Sequence, residues 1–474
     1  MGRYYRIWGR ILLCVALSGC GGIFSSQNAN QGPSPHLEFA PTDRILILAP
    51  HPDDEIVGCG GIIQEAMERH LPLRIVFLTY GDGNEWSFLV YRKHPVLSPK
   101  AVQQMGLLRR DEAVSAAAIL GLSERQLTFL GYPDFGTLQI WSDHWKNRPP
   151  LKGLMTQVTE VPYGNAFRPG APYKGEEVLS DLKTILKEFR PTKIFVSHPA
   201  DHNPDHRALY LFTRVALWDL EPQMRPTVYP YLVHFGRWPK PKGYRPERRL
   251  TPPGTLTARI PWRTHPLGNE AVSLKKTALR QHKTQVQYRG GYLFSFVRAN
   301  ELFGDFPVIR LNPDHLPGTS TLEPSVSQRG GEIVEELTDE ERALFVGVER
   351  ETIRREDGHL VLSIGFSRPL AEAVEASVYV FGYRKDTPFA DMPKLHIRLG
   401  EFGQAMYDQN QKLPKELLAV TRRPRQIIIR IPLSAAGNPH RILTGARTYM
   451  GEVPLGWTSW RVVELSAHTM RRSR

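Results

Sequence analysis

Short, nearly unbroken apolar runs recur through the first half of the chain: Arg44-Ile45-Leu46-Ile47-Leu48-Ala49, Leu73-Arg74-Ile75-Val76-Phe77-Leu78-Thr79 and Thr192-Lys193-Ile194-Phe195-Val196-Ser197. Runs of this length and content suit strands buried on both faces. Between them the spacing predicts helices from about Glu55 to Arg69, from about Pro99 to Leu120 and from Leu179 to Phe189. Asp53 and Asp54 can cap the first of these, and Gly121 can close the second in a left-handed conformation. The alternation predicts a parallel sheet covered by helices.

The pattern then changes twice. Leu138 to Glu176 has little periodicity and carries Trp141, Trp145, Tyr163, Phe167 and Tyr173 among prolines and glycines. It is either a binding loop or a satellite cluster of packed aromatics. Residues 311–331, rich in Pro, Gly, Ser and Thr, read as a linker between a domain at 44–310 and a second at 332–474. In the second, Thr352 to Arg355 and His359 to Phe366 flank the hairpin signal Asp357-Gly358. Further strands are predicted at Ala376 to Phe381, Leu395 to Leu399 and Gln426 to Ile431, giving a C-terminal β-sandwich.

At 474 residues with 41% hydrophobic content, the chain can build two cores, and three cysteines are too few for a disulfide framework. Cys14 and Cys20 lie in an N-terminal segment with Arg3, Arg6 and Arg10, a short apolar stretch to Leu17, and Ser18-Gly19-Cys20. Leu17-Ser18-Gly19-Cys20 resembles a bacterial lipobox, which implies a signal peptide at 1–19, acylation of Cys20 and a tether at 20–43. An exported protein, lipid-anchored to the bacterial envelope, is expected. Gly21 after the cysteine leans, by resemblance to Gram-negative lipoproteins, towards the outer membrane. The net charge of +13 falls to +10 without the three signal arginines. Export argues against nucleic acid as a partner, and the basic runs at Arg245 to Arg249 and Arg422 to Arg425 are broken by proline, as in solvated loops.

Candidate chemistry gathers directly after two of the predicted strands. The first knot is His51-Pro52-Asp53-Asp54-Glu55 and the second is His198-Pro199-Ala200-Asp201-His202-Asn203-Pro204-Asp205-His206. In an open parallel sheet, ligands bind outside the carboxyl ends of the strands, so both knots should face one crevice. A catalytic zinc takes three His or carboxylate ligands and keeps one position open. So many acids and imidazoles are hard to explain as packing, because buried carboxylates without a metal or a partner are costly. Pro199 and Pro204 argue against a helix through the second knot and for a loop. Cys59 reads as a small buried thiol on a packed helix.

These motifs resemble the PIG-L/LmbE-like zinc-dependent N-deacetylases over about residues 44–307. The family's AHPDDE opening is matched by Ala49-Pro50-His51-Pro52-Asp53-Asp54-Glu55 with one inserted proline. Asp205-His206-Arg207-Ala208 matches the end of its second element. Further likenesses are Arg109-x-x-Glu112 on its helix, Phe129 to Asp134, and Lys276-x-Ala278-Leu279-x-x-His282-x-x-Gln285. The resemblance implies a Rossmann-like fold and a Zn2+ held by His51, Asp54 and His206, with Asp53 as the base. It implies that His202, supported by Asp205, protonates the leaving amine, although an extra residue in the element leaves His198 as the alternative. Arg109 and Asp134 fall where the family binds sugar hydroxyls, while a helical ion pair of Arg109 with Glu112 is the structural alternative.

The implied activity is removal of N-acetyl groups from an N-acetylglucosamine-containing glycan or glycoconjugate. Two rivals share the residues: a zinc amidase or esterase on a non-sugar substrate, and a non-catalytic envelope glycan-binding lipoprotein. The sandwich should hold no part of the zinc site; Tyr379, Tyr383, Trp457 and Trp460 are its candidate sugar platforms or core aromatics.

Overall fold

The computed structural model describes residues 34–83, 98–311, 320–322, 343–370, 373–401, 403–451 and 453–465. The predicted signal segment and Cys20 lie outside them, as does most of the predicted linker. Among the described residues, no helix is long and apolar enough to cross a membrane.

In chain order the first domain contains β1 (Ile45–Ala49), α1 (Asp54–Glu68), β2 (Leu73–Thr79), α2 (Pro99–Ile119), β3 (Leu127–Tyr132), α3 (Thr137–Asp143), α4 (Gly175–Phe189), β4 (Lys193–Ser197), α5 (Pro204–Leu220) and β5 (Thr227–Tyr231). The hairpin partners β6 (Arg263–Pro266) and β7 (Asn300–Phe303) then enclose α6 (Asn269–Leu279) and α7 (Lys283–Leu293). All five strands of the main sheet run parallel in the order β3-β2-β1-β4-β5. The chain leaves β1 towards β2 and β3, then returns to the other side of β1 as β4. The switch point therefore lies between β1 and β4, the two strands that carry the predicted knots.

Both faces of the sheet are covered, which explains the unbroken apolar runs. Side chains alternate along a strand, so Ile45, Ile47 and Ala49 enter one core with α1 and α6, while Leu46 and Leu48 enter the other with α4 and α5. Helix α1 approaches closely because Gly58 carries no side chain: a Cβ there would lie 2.4 Å from the Tyr231 ring. A buried ion pair, Lys275 Nζ to Glu301 Oε1 at 2.6 Å, ties α6 to β7, and the same carboxylate accepts from Gly61 N of α1 at 2.8 Å.

The second domain is a sandwich of two mainly antiparallel sheets. One has the order β16-β17-β11-β10-β9, built from β9 (Ser320–Leu322), β10 (Val348–Glu356), β11 (His359–Phe366), β16 (Ala419–Arg423) and β17 (Gln426–Pro432). The other has the order β15-β14-β13-β12-β18-β20-β8, with β19 also pairing β18. Its strands are β8 (Ile309–Leu311), β12 (Glu375–Tyr383), β13 (Lys394–Leu399), β14 (Gln404–Asp408), β15 (Gln411–Lys412), β18 (Arg441–Met450), β19 (Val453–Trp457) and β20 (Arg461–Leu465). Asp357 and Gly358 both take positive φ, 47° and 72°, in the turn their sequence predicts. Strands β8 and β9 depart from the predicted boundaries: they fall before or inside the stretch read as a linker, yet each completes one of the sandwich sheets. Three-residue strands give too little pattern to be read from sequence.

The two domains share a core. The outer face of the eight-stranded sheet places Phe381, Tyr383, Leu443, Trp460 and Val462 among residues of α3, α4 and α5. Trp141 and Trp145, from the aromatic insertion, pack against Phe389 of the sandwich with ring centroids 5.1 and 5.2 Å apart. Tyr163 and Tyr173 are buried too. The insertion is thus packed aromatic structure and not an exposed binding loop, and Tyr383 and Trp460 are seam residues and not sugar platforms.

Candidate functional site

The first knot is a tight turn between β1 and α1. Asp53 adopts φ 129°, a backbone conformation rare outside glycine, asparagine and aspartate, and its side chain makes no capping bond. Its backbone N donates to Glu55 Oε2 at 2.8 Å, while Glu55 Oε1 lies 3.0 Å from His282 Nε2. The helix is thus held from α7 in place of the Asp cap the sequence suggested. Strain of this kind persists only where surrounding contacts fix it, and it gathers at functional sites.

The second knot is not wholly a loop. Pro204 takes the first helical position of α5 with Asn203 as N-cap, its side chain accepting from Asp205 N at 2.9 Å. Proline is tolerated there because the first N–H of a helix has no internal partner. Asp205 and His206 therefore stand in the first turn of a helix aimed at the first knot, while His198 and His202 stay on the loop.

His51, Asp54 and His206 converge. His51 Nδ1 lies 3.1 Å from Asp54 Oδ2, and His206 Nε2 lies 3.0 Å from that same oxygen. These separations approach the ~3.3 Å expected between ligands of a tetrahedral ion with bonds near 2.0 Å. Both nitrogens of His206 are buried without an aligned hydrogen bond, although each lies near a carboxylate. At Nε2, the nitrogen that faces Asp54, a lone pair aimed at a shared centre leaves that signature, and two imidazoles with a carboxylate are the donor chemistry of a divalent metal. The residues fit such an ion.

Each ring has a carboxylate behind it. Asp201 Oδ2 lies 3.1 Å from His206 Nδ1, and also accepts from His234 N at 2.9 Å and Val233 N at 3.1 Å. Behind His51, Nε2 lies 3.0 Å from Asp134 Oδ1 and 3.2 Å from Asp205 Oδ2. Asp205 is itself fixed by Phe135 N at 2.6 Å and by the Thr137 N and hydroxyl. Carboxylates in these positions set ring orientation and tautomer and raise ligand basicity.

The electrostatics follow. Burial pushes the His51 imidazolium down, but Asp134, Asp205 and Asp54 outweigh it and carry its pKa well above the usual value. His206 rises to about 9, with Asp201 and Asp54 outweighing burial. Burial raises Asp54, but His206 and His51 hold it well below the carboxylate range. Asp53, by contrast, is raised to about 7 by burial and by the Asp54 charge, against the opposing pull of Arg109 and His282. Two adjacent aspartates are thereby driven to opposite protonation preferences.

Four expected roles meet a different geometry. Asp205 stands behind His51, and its described contacts do not run to His202. The His202 ring packs against Phe235 and Trp457, where burial depresses its pKa to about 3. His198, the alternative, is fully buried against Trp262 and Phe306, its Nδ1 accepting from Ala200 N. Arg109 is 3% exposed; its guanidinium donates to Gly81 O at 2.6 Å and Pro52 O at 2.7 Å and lies 3.7 Å from Asp53 Oδ2. It clamps the knot from below, and Glu112 turns away to Thr284, so the helical pair does not form. Asp134 accepts from Gly83 N at 2.8 Å as well as facing His51. Both sugar-binding candidates thus face inward and bond backbone groups, while Arg109 Nε and Asp134 Oδ1 have no aligned hydrogen bond. The sequence pattern does not single out Asp201 or His234: Asp201 is one acid among several in its knot, and His234 follows β5, a strand with no clear apolar run. Cys59 is fully buried, its pKa pushed up mainly by burial, as the packed-thiol reading expects.

Residues 46–217 match the model of the PIG-L family, described as GlcNAc-PI de-N-acetylase. The chain is 28% identical over 178 residues to 1D-myo-inositol 2-acetamido-2-deoxy-alpha-D-glucopyranoside deacetylase 1 of Saccharopolyspora erythraea, covering 36% of this chain and 53% of that protein. It therefore spans about half the length of that relative. To the corresponding deacetylase of Streptomyces avermitilis it is 25% identical over 296 residues, covering 56% of this chain and 90% of that one. Among solved structures, the N,N'-diacetylchitobiose deacetylase from Pyrococcus horikoshii aligns at 19% identity and a TM-score of 0.31, over 53% of this chain and 75% of that one. The family's model spans both strand-end knots, so the likeness of this chain to the PIG-L family lies in the segment 46–217 of the α/β domain.

Proposed function

We propose that this protein is a zinc-dependent hydrolase that removes the N-acetyl group from an N-acetylglucosamine-containing glycan or glycoconjugate. The observation that carries the reading is the convergence of His51, Asp54 and His206 at the switch point of the sheet, with the Asp53 carboxylate beside them. His51, Asp54 and His206 would hold the zinc, which when bound polarises the amide carbonyl and makes water a competent nucleophile near neutral pH. Asp53 accepts the proton of the attacking water and returns it to the departing nitrogen. The C–N bond breaks, and acetate and a free amine leave. A carboxyl near pH 7 suits a group that must first take and then give a proton. Asp201, Asp134 and Asp205 hold the two rings in place. Arg109 holds the turn that presents Asp53.

The substrate class is supported by the activities in the names of the matched family and relatives. The lipobox-like Leu17-Ser18-Gly19-Cys20 supports export and a lipid anchor at the envelope. The test is acetate release from N-acetylglucosamine oligomers against simple acetamides, together with metal analysis of protein purified without chelators. Zinc near one per chain and acetate matched by new amine are the expected results. Absence of bound metal, or no acetate from any acetylated amino sugar, overturns the reading.

A further inference from the structure

The outer face of the eight-stranded sandwich sheet has two parts. One carries Phe381, Leu443 and Val462 into the shared core. On the other, the strand register sets Arg398 of β13, Ser377 of β12, Arg447 of β18 and Trp457 of β19 in one row across neighbouring strands. This row reaches the second knot. The Trp457 ring meets the His202 ring edge-on with centroids 4.8 Å apart, and Trp460 N approaches Pro199 O at 3.4 Å. Arg207, the residue after His206, lies 5.9 Å from the Trp457 ring centre. The sandwich thus packs against the loop and the helix turn that carry the candidate ligand His206.

The row is cationic. Arg398 and Arg447 are exposed, and among the described residues neither makes an ion pair within 4.0 Å. Each lies over an aromatic ring: Arg447 is 5.6 Å from the Tyr379 centroid and 5.1 Å from that of Tyr449, and Arg398 is 5.1 Å from that of Tyr407. The carboxylate under the influence of both is Asp143, at the end of α3, whose pKa burial raises while His144 and the two arginines pull it down. A guanidinium resting on a ring is oriented at little entropic cost, and its N–H edge stays available for bidentate pairing with a carboxylate or phosphate. An indole beside it is a surface on which a sugar can stack.

We propose that Arg398, Arg447, Arg207 and Trp457 form a second substrate subsite, which binds an oxyanion-bearing sugar of the same glycan whose acetamido group is held at His51, Asp54 and His206. The inference rests on the deacetylase reading for its substrate but not for its binding. It makes the sandwich a determinant of substrate choice and not only a cover for the first domain.

The test compares three oligomer sets of equal length, each containing N-acetylglucosamine: one neutral, one alternating with a uronic acid, one carrying phosphate. For the R398E/R447E protein, the ratio of kcat/KM on one of the anionic sets to kcat/KM on the neutral set should fall at least tenfold from the native ratio. The set that loses its preference identifies the anion. Unchanged ratios on both anionic sets overturn the subsite. In parallel, calorimetry measures binding of a uronic-acid oligomer and a phosphorylated oligomer, both lacking acetamido groups, to the native and variant proteins. Loss of binding to either in the variant supports the subsite even if no oligomer releases acetate, an outcome that would count against the deacetylase reading alone. No binding of either to the native protein overturns the subsite. If the double variant does not fold, R447Q is measured in its place by the same ratios.

Discussion

Arg109 reaches from the middle of α2 to lie 3.7 Å from the Asp53 carboxylate, with its two terminal nitrogens bonded to Gly81 O and Pro52 O. Gly81 makes room for this: it has φ 66°, and a Cβ there would lie 2.2 Å from the Arg109 guanidinium. One buried cation therefore ties the loops after β1 and β2 and offsets part of the charge repulsion between Asp53 and Asp54. Arg109→Met leaves two carbonyls without their donor and a carboxylate without its counter-charge. Stability should fall by about 2–5 kcal/mol, measured as a shift in the denaturation midpoint. The variant that retains fold should also show its acidic pH–rate limb moved upward, since the loss of Arg109 raises Asp53 further.

Asp53→Asn should keep both fold and metal. Asparagine tolerates the unusual backbone at this position better than most residues, and Asp53 is not among the converging ligand atoms. Turnover should drop by about 10²–10⁴-fold, because the amide cannot accept the proton. Metal content and acetate release, measured on the same preparation, check both halves.

Asp201→Asn tests the carboxylate behind His206. An asparagine oxygen in the place of Oδ2 can still accept from the amides of residues 233 and 234, at the loss of the bond from the amide of residue 203, so the loop should persist, but the His206 ring loses its charged partner. Metal affinity should weaken by about 10–100-fold, read by titration against a competing chelator. An affinity equal to that of the native protein would remove Asp201 from the site.

In the sandwich, Glu351 is 1% exposed, and burial raises its pKa from 4.5 to about 7 against the weaker opposing influence of Thr458 and Arg461. The folded state therefore holds a proton that the unfolded chain releases at lower pH. This group's contribution is complete below about pH 4.5 and is lost as pH rises through about 7, with a total near 3 kcal/mol. Glu351→Gln should flatten that part of the profile, so its thermal midpoint should gain on that of the native protein between these pH values. Parallel profiles for the two proteins would contradict the assignment.

The shared core bears on domain removal. Cutting the chain after Val308 would uncover Trp141, Trp145, Phe212 and Trp218, which pack with the sandwich's Phe381, Tyr383 and Phe389. The shortened protein should aggregate or melt lower than the full chain. Light scattering and thermal melting of the two forms decide it.

The sequence by itself determined the parallel sheet, because strands buried on both faces leave unbroken apolar runs, and it determined the two knots, because His and Asp grouped after such strands have no packing explanation. It also placed the hairpin at Asp357-Gly358, whose positive φ values are a local property. Tertiary structure decided which acid serves which histidine. Asp201, Asp205 and Asp134 are equivalent as residue types, and only the start of α5 at Pro204 and the course of β3 bring them behind His206 and His51. It decided that Arg109 and Asp134 face inward, since their partners are backbone groups on other loops, invisible to any local pattern. It also decided that the sandwich reaches the site, because the contact of Trp457 with His202 joins residues 255 positions apart, a distance that only the packing of two sheets and a helical layer can close.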